Sequence, residues 1–117
     1  MKSKGFGNLA KLQRHFAKHG REFGALTALE YEEMADGFLT VGRSATIYEC
    51  TRTGGAFIRF DSQTDAFGVL DTNGIILTFF KLVPCASIPN PQRAAIQMAG
   101  MCHASATNLL YFRTTCK

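Results

Sequence analysis

The chain has no tryptophan, three prolines in 117 residues, and nine acidic side chains against thirteen basic ones. No apolar run approaches the roughly 18 residues that a membrane-spanning helix needs, which excludes such a helix. No apolar core follows the basic start Met1-Lys2-Ser3-Lys4-Gly5, so no signal peptide is expected there, and any secretion signal would sit on a larger parent chain. The four cysteines, Cys50, Cys85, Cys102 and Cys116, form no Cys-x-x-Cys pair, which argues against a cysteine-built zinc site. A disulfide would suit a chain that leaves the cell, but free, partly buried thiols are the default expectation for two or more of the four. There are no internal repeats and no low-complexity blocks, and a single domain over 1–117 is expected.

What is present is enough for one core: 46% of the residues are hydrophobic, ten of them phenylalanine. The net charge of +4 is compatible with a polyanionic partner such as RNA, without requiring one.

Residues 1–7, with two glycines, read as a flexible lead-in. Asn8 is a plausible N-cap for a helix to about His19, with Leu9, Leu12 and Phe16 on one face and Gly20 suited to the C′ position. Thr27-Ala28-Leu29-Glu30 fits a capping box, and a second helix to about Phe38 follows, with Tyr31, Met34, Ala35 and Phe38 as its core stripe. The pattern then changes to strands over 45–53, 56–61, 66–71 and 75–81, joined through Gly54-Gly55, Ser62 to Asp65 and Asn73-Gly74. Three short connections in succession predict an antiparallel meander. Three prolines punctuate the tail; Gln92 to Ala99 reads as a short helix, and the apolar run Asn108 to Phe112 as an edge strand or a docked terminal turn. The fold class is therefore α+β: two N-terminal helices packed on a twisted antiparallel sheet of four to five strands.

The chemistry concentrates in His15-Phe16-Ala17-Lys18-His19. On a helix His15 and His19 project about 40° apart, and Lys18 about 60° to the other side of His15. Leu12 and Phe16 flank them, so the cluster sits at the border of buried and exposed surface. Histidine can exchange protons in both directions near neutral pH. A pair of surface histidines with satisfied ring nitrogens is the plain alternative. A zinc site is another, but no His-Glu-x-x-His pattern is present and a third ligand would have to come from far away.

The pattern His15-Phe16-x-Lys18-His19-Gly20-x-Glu22-Phe23-Gly24, followed by Tyr31-x-x-Met34-Ala35-x-x-Phe38, resembles a group of bacterial toxin nuclease domains. So do Arg59-Phe60-Asp61-x-x-Thr64-x-x-Phe67-Gly68-Val69, Asp71-x-Asn73-Gly74-x-Ile76-x-Thr78-Phe79-Phe80-Lys81 and Asn108-Leu109-x-Tyr111-Phe112. These are the C-terminal domains of contact-dependent growth inhibition proteins and other polymorphic toxins, similar to the barnase/EndoU/colicin/RelE-like (BECR) ribonucleases. The resemblance spans roughly residues 9–112, with 85–101 unmatched.

The resemblance implies RNA cleavage without metal or other cofactor, tRNA first among substrates, by attack of a 2′-hydroxyl on the adjacent phosphate. That reaction needs a base, an acid, and cations or donors on the developing phosphorane. His15 and His19 would be base and acid in an order left open; Lys18 and Arg59 would neutralise charge; Thr78 would donate to a phosphate oxygen; Tyr111 would position the substrate or move a proton. Each has a plain reading too. Arg59 and Asp61 share a strand face and can pair, Asp61 can cap the turn after it, Thr78 is a good strand former, Lys18 can be solvated, and Tyr111 can be core. The phenylalanines read as core, with one exposed ring able to stack on a base. The implied partners are RNA, a cognate immunity protein, acidic so as to cover a basic cleft, and a target-cell activating protein as a further candidate. The implied life history is delivery from the cell surface within a larger toxin and action in the target cytoplasm. The rival readings are a non-catalytic nucleic-acid or protein-binding module of the same fold, and a zinc-dependent hydrolase built on His15 and His19.

Overall fold

Asn8 caps the first helix, α1 (Leu9–His19), by accepting from the Lys11 N–H at 2.9 Å, and Thr27 caps the second, α2 (Ala28–Thr40), by accepting from the Glu30 N–H at 3.1 Å. The computed structural model describes all 117 residues. Four strands follow: β1 (Ile47–Thr51), β2 (Phe57–Asp61), β3 (Ala66–Leu70) and β4 (Ile76–Lys81). They pair in sequence order, each antiparallel to the next, as the short connections predict. A short helix α3 (Gln92–Met98) and a final helix α4 (Asn108–Thr115) complete an α+β architecture with its first two helices ahead of the sheet. No helix is long and apolar enough to cross a membrane.

The two faces of the sheet carry separate cores. On one face, Leu12, Tyr31, Ala35 and Leu39 from the first two helices close over Ala66, Ile76 and Phe79. Tyr31 is at its centre, fully buried, its ring 5.6 Å from those of Phe6 and Phe79. Its hydroxyl donates to the Phe79 carbonyl, and burial, aided by Glu22, pushes its pKa up. On the other face, Ile58, Phe60, Phe67 and Val69 pack against Leu82 and, from α4, Phe112.

Strand parity assigns side chains to faces. Residues directly opposite each other in an antiparallel ladder point the same way. Glu49, Arg59, Gly68 and Phe79 form one row on the face under α2; Ile58, Val69 and Thr78 form a row on the other. β4 contains a bulge, with Val69 opposite Thr78 but Leu70 opposite Ile76. Leu77 is the extra residue and is exposed. The bulge lets Ile76 join the helix-side core while Thr78 and Phe80 look to the other face, the re-aiming that bulges commonly provide.

Four expectations are corrected. The lead-in is strapped down: Asp36 accepts from the Ser3 N–H at 2.7 Å, Glu32 from Phe6 N–H at 3.1 Å, and the Gly74 carbonyl from Lys4 N–H at 2.7 Å, leaving Phe6 fully buried. Burial would raise the Asp36 pKa, but the hydrogen bonds from Ser3 and Lys2 outweigh it and bring it below the usual value. Gly20 is right-handed (φ −57°) and continues into a 3-10 turn, Gly20–Phe23. It is glycine because a Cβ there would lie 2.5 Å from the Phe16 ring; the left-handed position is Gly24, φ +68°. Asn108 to Phe112 is helix, started by Thr107, whose hydroxyl accepts from the Leu110 N–H at 3.1 Å. Finally, no thiol is free: Cys50 is bonded to Cys116 and Cys85 to Cys102. The first bond ties the end of α4 to β1. The second closes the excursion that carries α3, a helix with no buried residue of its own.

Candidate active site

The end of α1 lies along the β4 edge, and this brings helix histidines to the open face of the sheet. Arg14, His15, Lys18 and His19 line a cleft of about 280 Å³ together with Thr78, Phe80 and Gly100. Its wall carries four basic side chains and no carboxylate. Five of the predicted residues therefore gather here or at its margin: His15, Lys18, His19 and Thr78 in the cleft, and Tyr111 at a second cavity that shares His19, Phe80 and Gly100 with it.

The two histidines are held differently. The His15 ring is half-buried and stacks on Phe6 at 4.9 Å. Burial lowers its pKa from the ordinary 6.5, and the neighbouring charges of His19, Arg14 and Lys18 lower it further. It is neutral at pH 7 and available as a base. His19 is buried, stacked on Phe80 at 5.2 Å, and its Nδ1 donates to Glu22 Oε2 at 2.6 Å. The other Glu22 oxygen accepts from the Lys81 backbone N–H at 2.7 Å. The carboxylate is thus clamped by the sheet and in turn fixes the imidazole, leaving Nε2 as the ring nitrogen free to serve the cleft.

Arg59 does not reach this place. Parity puts it on the α2 face, where it is buried. Its Nε donates to Glu49 Oε2 at 2.8 Å, and one terminal nitrogen donates to the Phe38 and Val41 carbonyls at 3.1 and 2.6 Å. Arg59 closes the C-terminal end of α2, whose last carbonyls lack intrahelical partners. Its carboxylate partner is Glu49, not Asp61. Asp61 accepts from the Gln63 N–H at 2.9 Å, the turn-capping role expected of it.

Three groups at the site were not among the predicted set. Glu22 stood in the histidine motif, three residues after His19, a spacing that puts side chains side by side on a helical turn. Arg14 precedes His15 and lines the same cleft. His103 stacks on Tyr111 at 4.6 Å, and its Nε2 meets Asn108 Oδ1 at 2.7 Å. Nothing local in Met101-Cys102-His103-Ala104 announces it; the disulfide and a bridge between Pro84 and His103 bring it in.

No group of three or more His, Cys, Asp or Glu side chains converges as a metal-binding set. No protein-family model matches the chain, and no curated protein matches it.

Proposed function

We propose that this domain is a ribonuclease that cleaves RNA, tRNA first among its substrates, by metal-independent transesterification. The observation that carries this reading is one open, cationic cleft holding a neutral histidine beside a second histidine oriented by a carboxylate. His15 takes the proton from the attacking 2′-hydroxyl. The 2′-oxygen bonds to phosphorus as the bond to the 5′-oxygen breaks, and His19 delivers a proton from Nε2 to that leaving oxygen. The products are a 2′,3′-cyclic phosphate and a free 5′-hydroxyl. Lys18 and Arg14 offset the charge on the phosphorane, and the Thr78 hydroxyl donates to a phosphoryl oxygen. Arg14 thus stands where Arg59 was expected. Tyr111 borders the cleft and positions the substrate.

The motif resemblance supports a delivered toxin with an acidic immunity protein that covers the cleft. The pairing of all four cysteines supports passage outside the cell, where disulfides form and persist. The deciding experiment incubates the purified domain with total cellular RNA in excess EDTA and identifies the product ends. Discrete tRNA fragments with cyclic phosphate ends, absent with His15→Ala or His19→Ala, support the reading. Cleavage that EDTA abolishes would support the zinc hydrolase. RNA that is bound but left intact would make the domain a binding module.

A further inference from the structure

The cationic cleft does not end at its own rim. On the strand side it continues through Thr78 and Phe80 into an open groove of about 280 Å³ on the sheet face away from α2. Cleft and groove each stand near the lower bound of the roughly 300–1,000 Å³ typical of small-molecule pockets. The floor of the groove is apolar. Phe67 and Phe80, paired across β3 and β4, lie side by side in it, with ring centroids 5.4 Å apart. Leu77, the bulge residue, lines it too and is 46% exposed. Tyr111 borders it from α4, and Arg52, exposed, stands at its margin.

On the helix side the positive charge also runs past the cleft. Lys11 projects about 20° from Lys18 and about 40° from His15, and sits about 6 Å nearer the start of α1 than His15. It is outside the cleft lining but on the same helix face. Lys11, Arg14 and Lys18 are all exposed, and α1 contains no acidic residue. None of the three has a carboxylate partner, because the two ion pairs of the molecule are His19 with Glu22 and Arg59 with Glu49. Arg52 is unpaired in the same way. The surface is thus cationic along its helix wall and apolar along its sheet wall, with a further cation at the apolar margin. A nucleotide has the same division: an anionic phosphate joined to a flat, weakly polar base.

We infer that the cleft is the middle of a longer track for single-stranded nucleic acid, with phosphates along α1 from Lys11 to Lys18 and the base of an adjacent nucleotide on the apolar floor at Leu77 and Phe80. A basic wall beside an aromatic platform is the general form of single-strand binding, in which every base can use the platform because every base has a flat face. Only an unpaired base can leave its own stack to lie on the floor while its phosphate stays on the helix. Lys11 and Leu77, both outside the reaction centre, become binding residues. The inference rests on the ribonuclease reading for the reaction at the centre, and adds the form of substrate that the surface takes.

The test measures binding apart from cleavage. The probes are a short oligodeoxyadenylate, which has no 2′-hydroxyl and so cannot be cut by the proposed reaction, and an abasic strand of the same length. Affinities are compared over a range of salt for wild type, Lys11→Ala and Leu77→Ser; both substituted side chains are exposed, so both variants should fold. Wild type is expected to bind the adenylate roughly tenfold more tightly than the abasic strand, as one stacked base would provide. Lys11→Ala should make the salt dependence of either strand shallower by about 0.7 in log–log slope, the loss of one phosphate contact. Leu77→Ser should weaken the adenylate by about threefold or more through lost apolar contact, and leave the slope and the abasic strand unchanged. Equal wild-type affinity for the two strands would make the surface a plain anion binder and overturn the track. So would an unchanged slope in Lys11→Ala, an unchanged adenylate affinity in Leu77→Ser, or no binding of either strand. Binding as expected while total RNA stays intact would overturn the nuclease reading and leave the track standing.

Discussion

Glu22 holds His19 by one oxygen and the sheet by the other, accepting from His19 Nδ1 at 2.6 Å and from the Lys81 N–H at 2.7 Å. The histidine is thereby referenced to β4, the strand that carries Thr78. A helix-borne imidazole and a strand-borne hydroxyl keep their relative placement through a single carboxylate.

Glu22→Gln tests that coupling. The amide has the same shape but one acceptor oxygen where two are used, so either His19 or the Lys81 N–H loses its partner. Both outcomes let the imidazole turn or change tautomer. Turnover is expected to fall about 10²-fold, the low end of what a positioned acid or base contributes. The unmet buried group should cost about 1–3 kcal/mol. Kinetics on RNA and a thermal melt of the same preparation check both, and turnover within a few-fold of wild type would remove Glu22 from the site.

If the domain cleaves RNA as proposed, His15 sets the acidic limb of the pH profile. Its pKa is lowered from 6.5 by burial first and then by three neighbouring cations, so the base form persists below that value. The loss of cleavage towards acid pH should therefore be centred below 6.5. Stability follows the same group. The unfolded chain binds the His15 proton more tightly than the folded one, so the contribution is complete above 6.5 and is lost as pH falls through the lowered folded-state pKa. Melting temperatures measured from pH 5 to pH 7 should rise, and His15→Gln should flatten the rise. An acidic limb centred above 6.5 would contradict the assignment of His15 as base.

Much of the fold was legible because its signals are local. Asn8 and Thr27 are caps that act within three residues, Asn73-Gly74 is a two-residue turn, and each strand carries its own residue preference. The misreadings depend on distant contacts. Arg59 and Asp61 do share a face, but which face lies under α2 is decided by the packing of Leu39 against Gly68, beyond any strand pattern. Leu109 to Phe112 are four consecutive apolar residues with no period to separate strand from helix. Thr107 was the available start signal. His103 joins the site through its neighbour Cys102, which is bonded to Cys85 seventeen residues before that cysteine, and cysteine pairing cannot be read from one sequence.

Arg59→Ala is expected to behave as a stability variant. It removes the partner of Glu49 and two hydrogen bonds to carbonyls at the end of α2. The cost should be about 2–3 kcal/mol, since Arg59 is buried while Glu49 keeps some contact with water. Turnover per folded molecule should be unchanged. A large loss of turnover with an unchanged melting temperature would return Arg59 to the catalytic set.

The two disulfides should separate stability from activity. Cys50–Cys116 spans 66 residues of sequence and pins the last helix to the first strand. By loop-closure entropy it contributes about 4 kcal/mol, so Cys50→Ser with Cys116→Ser should lower the melting temperature strongly. Cys85–Cys102 spans only 17 residues, whose helix α3 buries nothing. Its removal should cost less, about 3 kcal/mol or below. Yet Gly100 lines the cationic cleft, and Met101, Cys102 and His103 form a wall of the adjoining cavity. Freeing that wall should raise KM for RNA while His15 and His19, seated on α1, still support turnover at saturating substrate. Steady-state kinetics of Cys85→Ser with Cys102→Ser, at a temperature where the variant is folded, gives the split. A fall in kcat with KM unchanged would mean that the wall serves the acid and base directly and not the binding of substrate.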